Sequence, residues 1–473
     1  MQNKCQVFTP DGIVGKLLDE IGYHKNLFGK KVYENSCGTG NILVEIVKRY
    51  IEDCNENGLS DNKIKAGLEH DIFAADIDAK CCTKAIERLN GTAASYGIQN
   101  VRWNVSNIDS LFETNGHAPF DYIVGNPPYV SYKDIDCKTR KELKKNFMTC
   151  SNGKFDYYYA FFEKAISQLS SNGRLAYIVP NSCFKNVFAF SLREMIKPLV
   201  TKIVDYKNQQ LFDALTSSAI IVLSKHGNNG LYSYSSAKDD SPVTLPTETL
   251  DKTKWSFNSQ FKKRGNRLFG EDYRVTNSIA TLCNGVFIID SSEIEKREPA
   301  SIRLYDGSEI EVGVLKKACS PKSMRLNKVQ YAIFPYDASK HATEAYSESR
   351  LSQDFPSCYR YLRERKPLLD NRTADAKARW YEYGRRQGLN TVGERKLIMS
   401  TVVTDSVHVY EVGADSVAYA GIIITCRSKG MLTEAKAILE SQNFLDYVHD
   451  IGTNVSGNSL RITARDVSSY EYR

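Results

Sequence analysis

Along the first half of the chain, short apolar runs alternate with stretches in which apolar residues recur at helical spacing. The runs predict strands at 31–34, 71–75, 101–105, 120–125, 174–179, 202–206 and 218–223. Between them, helical spacing predicts helices that include 41–50, 79–89 and 155–169. Strand and helix in alternation point to a doubly wound, mostly parallel seven-stranded α/β sheet covered on both faces. Ligands of such sheets bind beyond the carboxyl ends of the strands, where the topology switches. The chemistry-bearing motifs fall at those ends.

The motif richest in information is Asn126-Pro127-Pro128-Tyr129, directly after the run Phe120-Asp121-Tyr122-Ile123-Val124-Gly125. The exocyclic amine of a nucleobase is a poor nucleophile, because its lone pair is conjugated into the ring. An Asn side-chain oxygen and the carbonyl of the first Pro can accept both of its N–H groups and free that lone pair. The prolines stiffen the loop and bring no competing N–H, while Tyr129 offers a flat face for stacking. A bare proline turn closing an edge strand is the competing reading.

Three more strand ends carry polar signals. The first strand leads into Glu34-Asn35-Ser36-Cys37-Gly38-Thr39-Gly40-Asn41, where Gly38 and Gly40 permit a tight turn and Glu34 can bind an ammonium group. At the second, Asp76, with Asp78 close behind, can accept ribose hydroxyls. After the third, Asn107-Ile108-Asp109 offers a carboxylate to an adenine amine, and Asn107 competes with Asp109 for that role. Each could be an ordinary polar strand end, but their recurrence after three successive strands favours a nucleoside-binding site.

Together with Val7-Phe8-Thr9-Pro10, these motifs resemble the TaqI-like, gamma-arranged adenine-N6 DNA methyltransferases that use S-adenosylmethionine. The resemblance covers residues 5–225. It extends to Gly153-Lys154-Phe155-Asp156-Tyr157-Tyr158-Tyr159, similar to the helix beyond the catalytic loop, and to Leu211-Phe212-Asp213, similar to a late motif whose aromatic packs on the target base. Asn35 departs from the Pro common at that position. The resemblance implies that Thr9, Glu34, Gly38 and Gly40 hold the methionine part of the cofactor, Asp76 the ribose, and Ile77 and Asp109 the adenine. Asn126, Pro127, Pro128, Tyr129 and Phe212 would handle an adenine flipped out of double-stranded DNA. No metal is required. It also implies a monomer, and leaves open a cognate restriction endonuclease.

Composition narrows the setting. With 473 residues, 42% hydrophobic and 25% charged, the chain has room for two folded domains. No apolar run reaches the ~20 residues of a membrane span, and Met1-Gln2-Asn3-Lys4-Cys5 lacks a signal-peptide pattern, so a cytoplasmic protein is expected. The 12 cysteines are scattered without a C-x-x-C pair, which predicts reduced thiols and no structural zinc.

Charge is unevenly placed. Residues 1–250 hold 29 basic and 28 acidic side chains, so residues 251–473 carry +6 of the net +7. Within 360–396 there are 11 basic and 5 acidic residues, interleaved with Tyr361, Trp380, Tyr381 and Tyr383. Basic groups can neutralise phosphates while aromatics pack on sugars or bases, although a solvated helix face is an equal alternative. We expect a methyltransferase domain at 1–235 and a target-recognition domain at 255–473, divided by the Ser-, Asp-, Pro- and Thr-rich stretch 236–254. Arg385, Arg386 and Gln387 are candidate DNA contacts, with Arg461 and Arg465 as phosphate contacts. In the first domain, Lys138, Lys141, Lys144 and Lys145 would sit on a polar loop, 130–154, over the DNA. Alternatives are an RNA or protein-glutamine methyltransferase, a non-catalytic specificity subunit, and a nuclease fusion. The Glu-x-Lys triplet at Glu394-Arg395-Lys396 recurs elsewhere in the chain and does not favour the nuclease.

Overall fold

The computed structural model describes residues 9–113, 116, 119–207, 217–236, 239–250, 254–257, 267–337, 344–427, 431–456 and 458–472. The chain divides into two compact units, Met1–Phe261 and Lys262–Arg473.

In the first unit the elements run α1 (Asp11–Ile21), β1 (Val32–Glu34), α2 (Asn41–Glu56), α3 (Asp61–Asp71), β2 (Ile72–Asp76), α4 (Ala79–Ser95), β3 (Asn104–Asn107) and β4 (Phe120–Gly125). There follow α5 (Cys137–Asn146), α6 (Tyr158–Gln168), β5 (Leu169–Pro180), α7 (Phe190–Ile196), β6 (Val200–Asp205), β7 (Ser218–Ser224), β8 (Leu231–Ser236) and β9 (Asp239–Pro246). The strands form one mixed sheet in the order β3-β2-β1-β4-β5-β7-β6-β8-β9. β3 through β5 are mutually parallel, and β7 runs antiparallel to both neighbours.

Alternate residues feed two cores. Tyr33, Ile123, Tyr177 and Ile221 face the core shared with Phe155, Tyr158 and Phe162, whereas Val32, Val124, Ala176 and Ile220 face the core shared with Leu17, Ile46 and Leu89. A two-residue period with both faces buried makes central strands continuously apolar, which is why they are readable in sequence.

The sheet has nine strands rather than the expected seven. β8 adds parallel to β6 and β9 pairs antiparallel with β8. The stretch 236–254, expected to divide the domains, therefore contains a strand of the first unit, and Trp255 packs on Phe184 with ring centroids 5.9 Å apart. Ser-, Thr- and Pro-rich composition suits an outer, half-solvated edge strand as well as a linker, so composition misplaces the boundary. The expected loop over 130–154 is also corrected in part. It contains α5, capped by the Asp136 carboxylate, which accepts the Lys138 and Thr139 N–H groups at 3.0 Å each. Only Leu143 of α5 is buried, so the helix reads as polar in sequence.

In the second unit, Tyr273–Asn277, Ile422–Cys426, Lys396–Met399 and Val409–Val412 form an antiparallel four-stranded sheet. Another joins Ile288–Asp290, Gln330–Ile333, Leu315–Cys319 and Ser416–Ala418. Helices Pro356–Glu364 and Gln442–Ile451 contribute to its two main cores.

Candidate active site

The order β3-β2-β1-β4-β5 reverses direction between β1 and β4, and the two strands pair with Glu34 beside Val124. This register brings the glycine turn after β1 next to the Asn-Pro-Pro-Tyr loop after β4.

Gly38 and Gly40 have φ of +51° and +83°, a region that costs L-residues roughly 1–2 kcal/mol. At Gly40 a Cβ would lie 3.0 Å from that of Ala85, so the turn is also packed against α4. Asp76 organises it: one carboxylate oxygen accepts the Gly38 N–H at 2.8 Å, the other the Asp78 N–H at 2.9 Å. The Cys37 N–H is held by the Ala75 carbonyl at 3.0 Å. The β1 turn and the β2 end thus form one rigid edge, with Asp76 half-exposed on it.

Glu34 is buried, and burial, reinforced by nearby Asp76, pushes its carboxyl well above the ordinary range. The Leu43 N–H approaches this group, but Oε2 has no hydrogen-bond partner among the described residues. A buried carboxyl oxygen without a donor is costly and suits a ligand that brings its own cation.

Thr9 links the two loops. Its hydroxyl accepts from Asn126 Nδ2 at 3.1 Å, and its carbonyl accepts from Asn41 Nδ2. With Nδ2 committed to Thr9, the Asn126 side-chain oxygen becomes the acceptor pole of the site. Ser36 Oγ donates to the Asn126 carbonyl at 3.5 Å. The Tyr129 hydroxyl donates to the Ile178 carbonyl at 2.9 Å, and its ring meets Tyr158 edge-on at 6.2 Å, so the ring is held in one orientation.

Ile77 is 72% exposed beside Asp76, an apolar side chain placed at a strand end. Asp109 is half-buried, accepts the Leu111 N–H at 3.0 Å, and is pushed upward by burial. Asn107 donates its amide to the Asp76 carbonyl at 3.0 Å and so is already engaged. Phe212 lies outside the described residues.

Sequence reading missed two supports. Asn35 accepts from the Tyr177 hydroxyl at 2.9 Å, and Ser110 Oγ donates to the Asn35 carbonyl at 2.6 Å. Tyr177 is 142 residues away on β5, and no local signal announces such a partner. The Asn35 side-chain oxygen is thus held from β5 and its backbone carbonyl from the segment after β3.

Lys138, Lys141, Lys144 and Lys145 are all exposed on α5. Spacings of three and four put Lys138, Lys141 and Lys145 along one side of the helix.

In the second unit, Arg385, Arg386 and Gln387 are exposed, with Arg386 Nη2 paired to the buried Glu382 at 2.7 Å. Arg461 and Arg465 are exposed as well. The expected use of the aromatics is corrected: Tyr361, Tyr381 and Tyr383 are buried in the core, and Trp380 is half-buried, its Nε1 donating to Glu348 at 3.2 Å. Burial of a large ring outweighs a surface role, and the solvent-facing residues between them are of mixed character, Arg363, Lys377 and Arg379 beside Glu364, Leu368 and Asp370. Glu394 pairs with Arg274 at 3.3 Å, and buried Lys396 donates to the Ser416 carbonyl at 3.0 Å, which gives that triplet structural partners.

Residues 24–212 match the family described as Eco57I restriction-modification methylase. Among curated proteins, the chain is 24% identical over 327 residues to the Type II restriction enzyme and methyltransferase RM.Eco57I of Escherichia coli, covering 59% of this chain and 32% of that protein. It is 30% identical over 229 residues to the modification methylase CviBIII of Paramecium bursaria Chlorella virus NC1A, covering 48% and 51%. It is 36% identical over 128 residues to the Type II methyltransferase M.HincII of Haemophilus influenzae, covering 26% and 25%. The chain thus spans about half or less of the length of these relatives. Among solved structures, the Type IIL restriction-modification enzyme MmeI aligns with a TM-score of 0.66 at 14% identity, over 97% of this chain and 64% of that one. The Type ISP restriction-modification enzyme LlaGI aligns with a TM-score of 0.56 at 14% identity, over 94% and 43%. Residues 24–212 of the first unit are therefore similar to the Eco57I restriction-modification methylase family, and the mixed α/β fold is similar to that of MmeI.

Proposed function

We propose that this chain transfers a methyl group from S-adenosylmethionine to the N6 amine of an adenine extruded from double-stranded DNA, at sites chosen by the second unit. The observation that carries the reading is the juxtaposition at the switch point. An Asn126 amide oriented by Thr9 follows the strand paired with that of Glu34, a buried carboxyl whose Oε2 has no hydrogen-bond partner among the described residues.

The residues present fit the cofactor. Glu34 would hold its ammonium group, the Gly38–Gly40 turn would let it approach the backbone, Asp76 would accept its ribose hydroxyls, and Ile77 and Asp109 would meet its adenine. The cofactor supplies an electrophilic methyl carried on a sulfonium. The chain's part is positioning: Asn126 and the Pro127 carbonyl accept the two N–H groups of the target amine, and Pro127 and Pro128 keep competing donors away. Tyr129, fixed through its hydroxyl, provides the stacking face, and Phe212 is the candidate for the other side of the base.

DNA as substrate is supported by the restriction-modification relatives and by the exposed basic groups on both units. The reading places the protein in the cytoplasm as a monomer, with a cognate restriction endonuclease as a companion to be sought. The test is to incubate the purified chain with unmethylated plasmid and S-adenosylmethionine, digest the DNA and identify the nucleosides by mass spectrometry. N6-methyladenosine in the deoxy series is expected. Modified cytosine would correct the base assignment, and unmodified DNA would contradict the reading.

The α5 lysines carry their own expected outcome. Replacing Lys138, Lys141 and Lys145 with Gln weakens DNA binding on all sequences alike. It also lowers the slope of log affinity against log salt by about 1 for each phosphate that a lysine no longer neutralises. A salt titration of binding checks this, and unchanged slopes would remove α5 from the DNA-binding surface.

A further inference from the structure

The rim beyond the carboxyl ends of β4 and β5 exposes a group of large apolar side chains that the chemistry above does not use. Met148, directly after α5, is 69% exposed, and Val187, in the turn after β5, is 60% exposed. Phe188 and Phe190 are exposed beside Val187. The two segments are contiguous: a Cβ at Gly153 would overlap the Phe188 ring.

This is not a loose surface. The Glu163 carboxylate accepts the N–H groups of Met148 and Thr149 at 3.0 and 2.9 Å, as well as the Thr149 hydroxyl. Buried Arg193 donates to the carbonyls of Cys183 and Asn186 at 2.8 and 2.7 Å, and Asn186 accepts the Phe188 N–H at 3.0 Å. Two buried or half-buried charges thus spend their hydrogen bonds on fixing turns that present apolar groups to water. A contiguous exposed apolar group held in this way marks a contact surface. The neighbouring elements indicate its occupant. Exposed Lys144 and Lys145 close the end of α5 next to Met148, Lys154 is exposed beside Gly153, and the Tyr129 loop is anchored to Ile178, two residues before the β5 end. An apolar centre with a basic rim at the edge of a base-binding site complements duplex DNA: phosphates outside, an unstacked step within.

We propose that Met148 and Val187, backed by Phe188 and Phe190, form an apolar wedge that enters the base stack of double-stranded DNA and covers the gap left by the extruded nucleotide. The inference rests on the methyl-transfer reading above. Extrusion exposes the faces of the flanking bases and the orphaned partner, and apolar side chains filling that space shift the equilibrium toward the open form.

The test uses the full chain and oligonucleotide duplexes carrying its modified sequence, with the target adenine opposite either thymine or an abasic site. The variants are Met148→Ser/Val187→Ser, and Val187→Ile as the conservative change. On the matched duplex the double variant should lose about 10- to 100-fold in kcat/KM, because extrusion must proceed without the filler. On the abasic duplex, where little pairing is broken, its rate should return close to that of the unaltered chain, and V187I should behave normally on both. A 2-aminopurine at the target position should report less extrusion by the double variant. Equal loss on both duplexes, or no loss, overturns the wedge while leaving the methyl-transfer reading intact. An unaltered chain that modifies neither duplex overturns both.

Discussion

Asn126→Ala should lower the rate of methyl transfer by about 10²–10³-fold, the loss typical of removing one preorganised group from a site of developing charge, while cofactor affinity stays near that of the unaltered chain. In the proposed reading the Asn126 side-chain oxygen accepts from the target amine, and because its amide also donates to Thr9, a proposed cofactor contact, a rate measured at saturating DNA and cofactor isolates the effect on transfer. Asn126→Asp is the informative companion. A carboxylate keeps the acceptor oxygens, and the Thr9 hydroxyl, which now accepts from Nδ2 at 3.1 Å, can turn round and donate to it. The Asp variant should therefore retain far more activity than the Ala variant. Equal loss in both would mean that Asn126 acts by shape and not as an acceptor.

Glu34→Gln should weaken cofactor binding by roughly 30- to 100-fold, the worth of ~2–3 kcal/mol of charge-assisted hydrogen bonding, and yet make the free protein more stable at neutral pH. The stability gain follows from the sign of the shift. Burial raises the Glu34 pKa above its ordinary 4.5, so the folded state holds the proton more tightly than the unfolded chain. Stability then falls as pH rises from about 4.5 to the folded value and stays lower beyond it. Gln carries no such titration, so the difference between variant and unaltered chain should be small below pH 4.5 and grow above it. Asp156, raised by burial to about 6, contributes a decline of the same sign to both proteins and cancels in the comparison. Thermal melts across pH, with calorimetric titration of S-adenosylmethionine, check both halves. A variant that binds the cofactor normally would remove Glu34 from the site. This trade resembles that of other functional carboxylates, kept at a cost to the empty fold.

How far the sequence can be read depends on whether the signal is local. Central strands are legible because burial on both faces leaves continuous apolar runs, and β4 (Phe120–Gly125) falls where its run ends. The Gly38–Gly40 turn and the Asn126 loop are legible because backbone constraint and chemistry sit within a few residues. The sequence pattern places β3 too early, because Val101 and Trp103 are more apolar than the edge strand Asn104–Asn107 itself. β9 is hidden because a half-solvated edge needs no apolar run, and α5 because a helix with one buried residue shows no stripe. The aromatics around 380 mislead for the opposite reason: spacing among basic residues says nothing about which side chains turn inward, and Tyr381 and Tyr383 do. The struts Thr9–Asn126 and Asn35–Tyr177 span 117 and 142 residues, and only the folded sheet brings them together.

The central claim, adenine-N6 methylation of DNA by the Asn126 loop, is tested most directly by single-molecule sequencing of DNA from a methylation-free bacterial host expressing this chain, beside the same host expressing Asn126→Ala. The account predicts N6-modified adenines confined to one short sequence context with the unaltered chain and their absence with the variant. Unmodified DNA from both hosts, with the purified chain still binding S-adenosylmethionine, would contradict it.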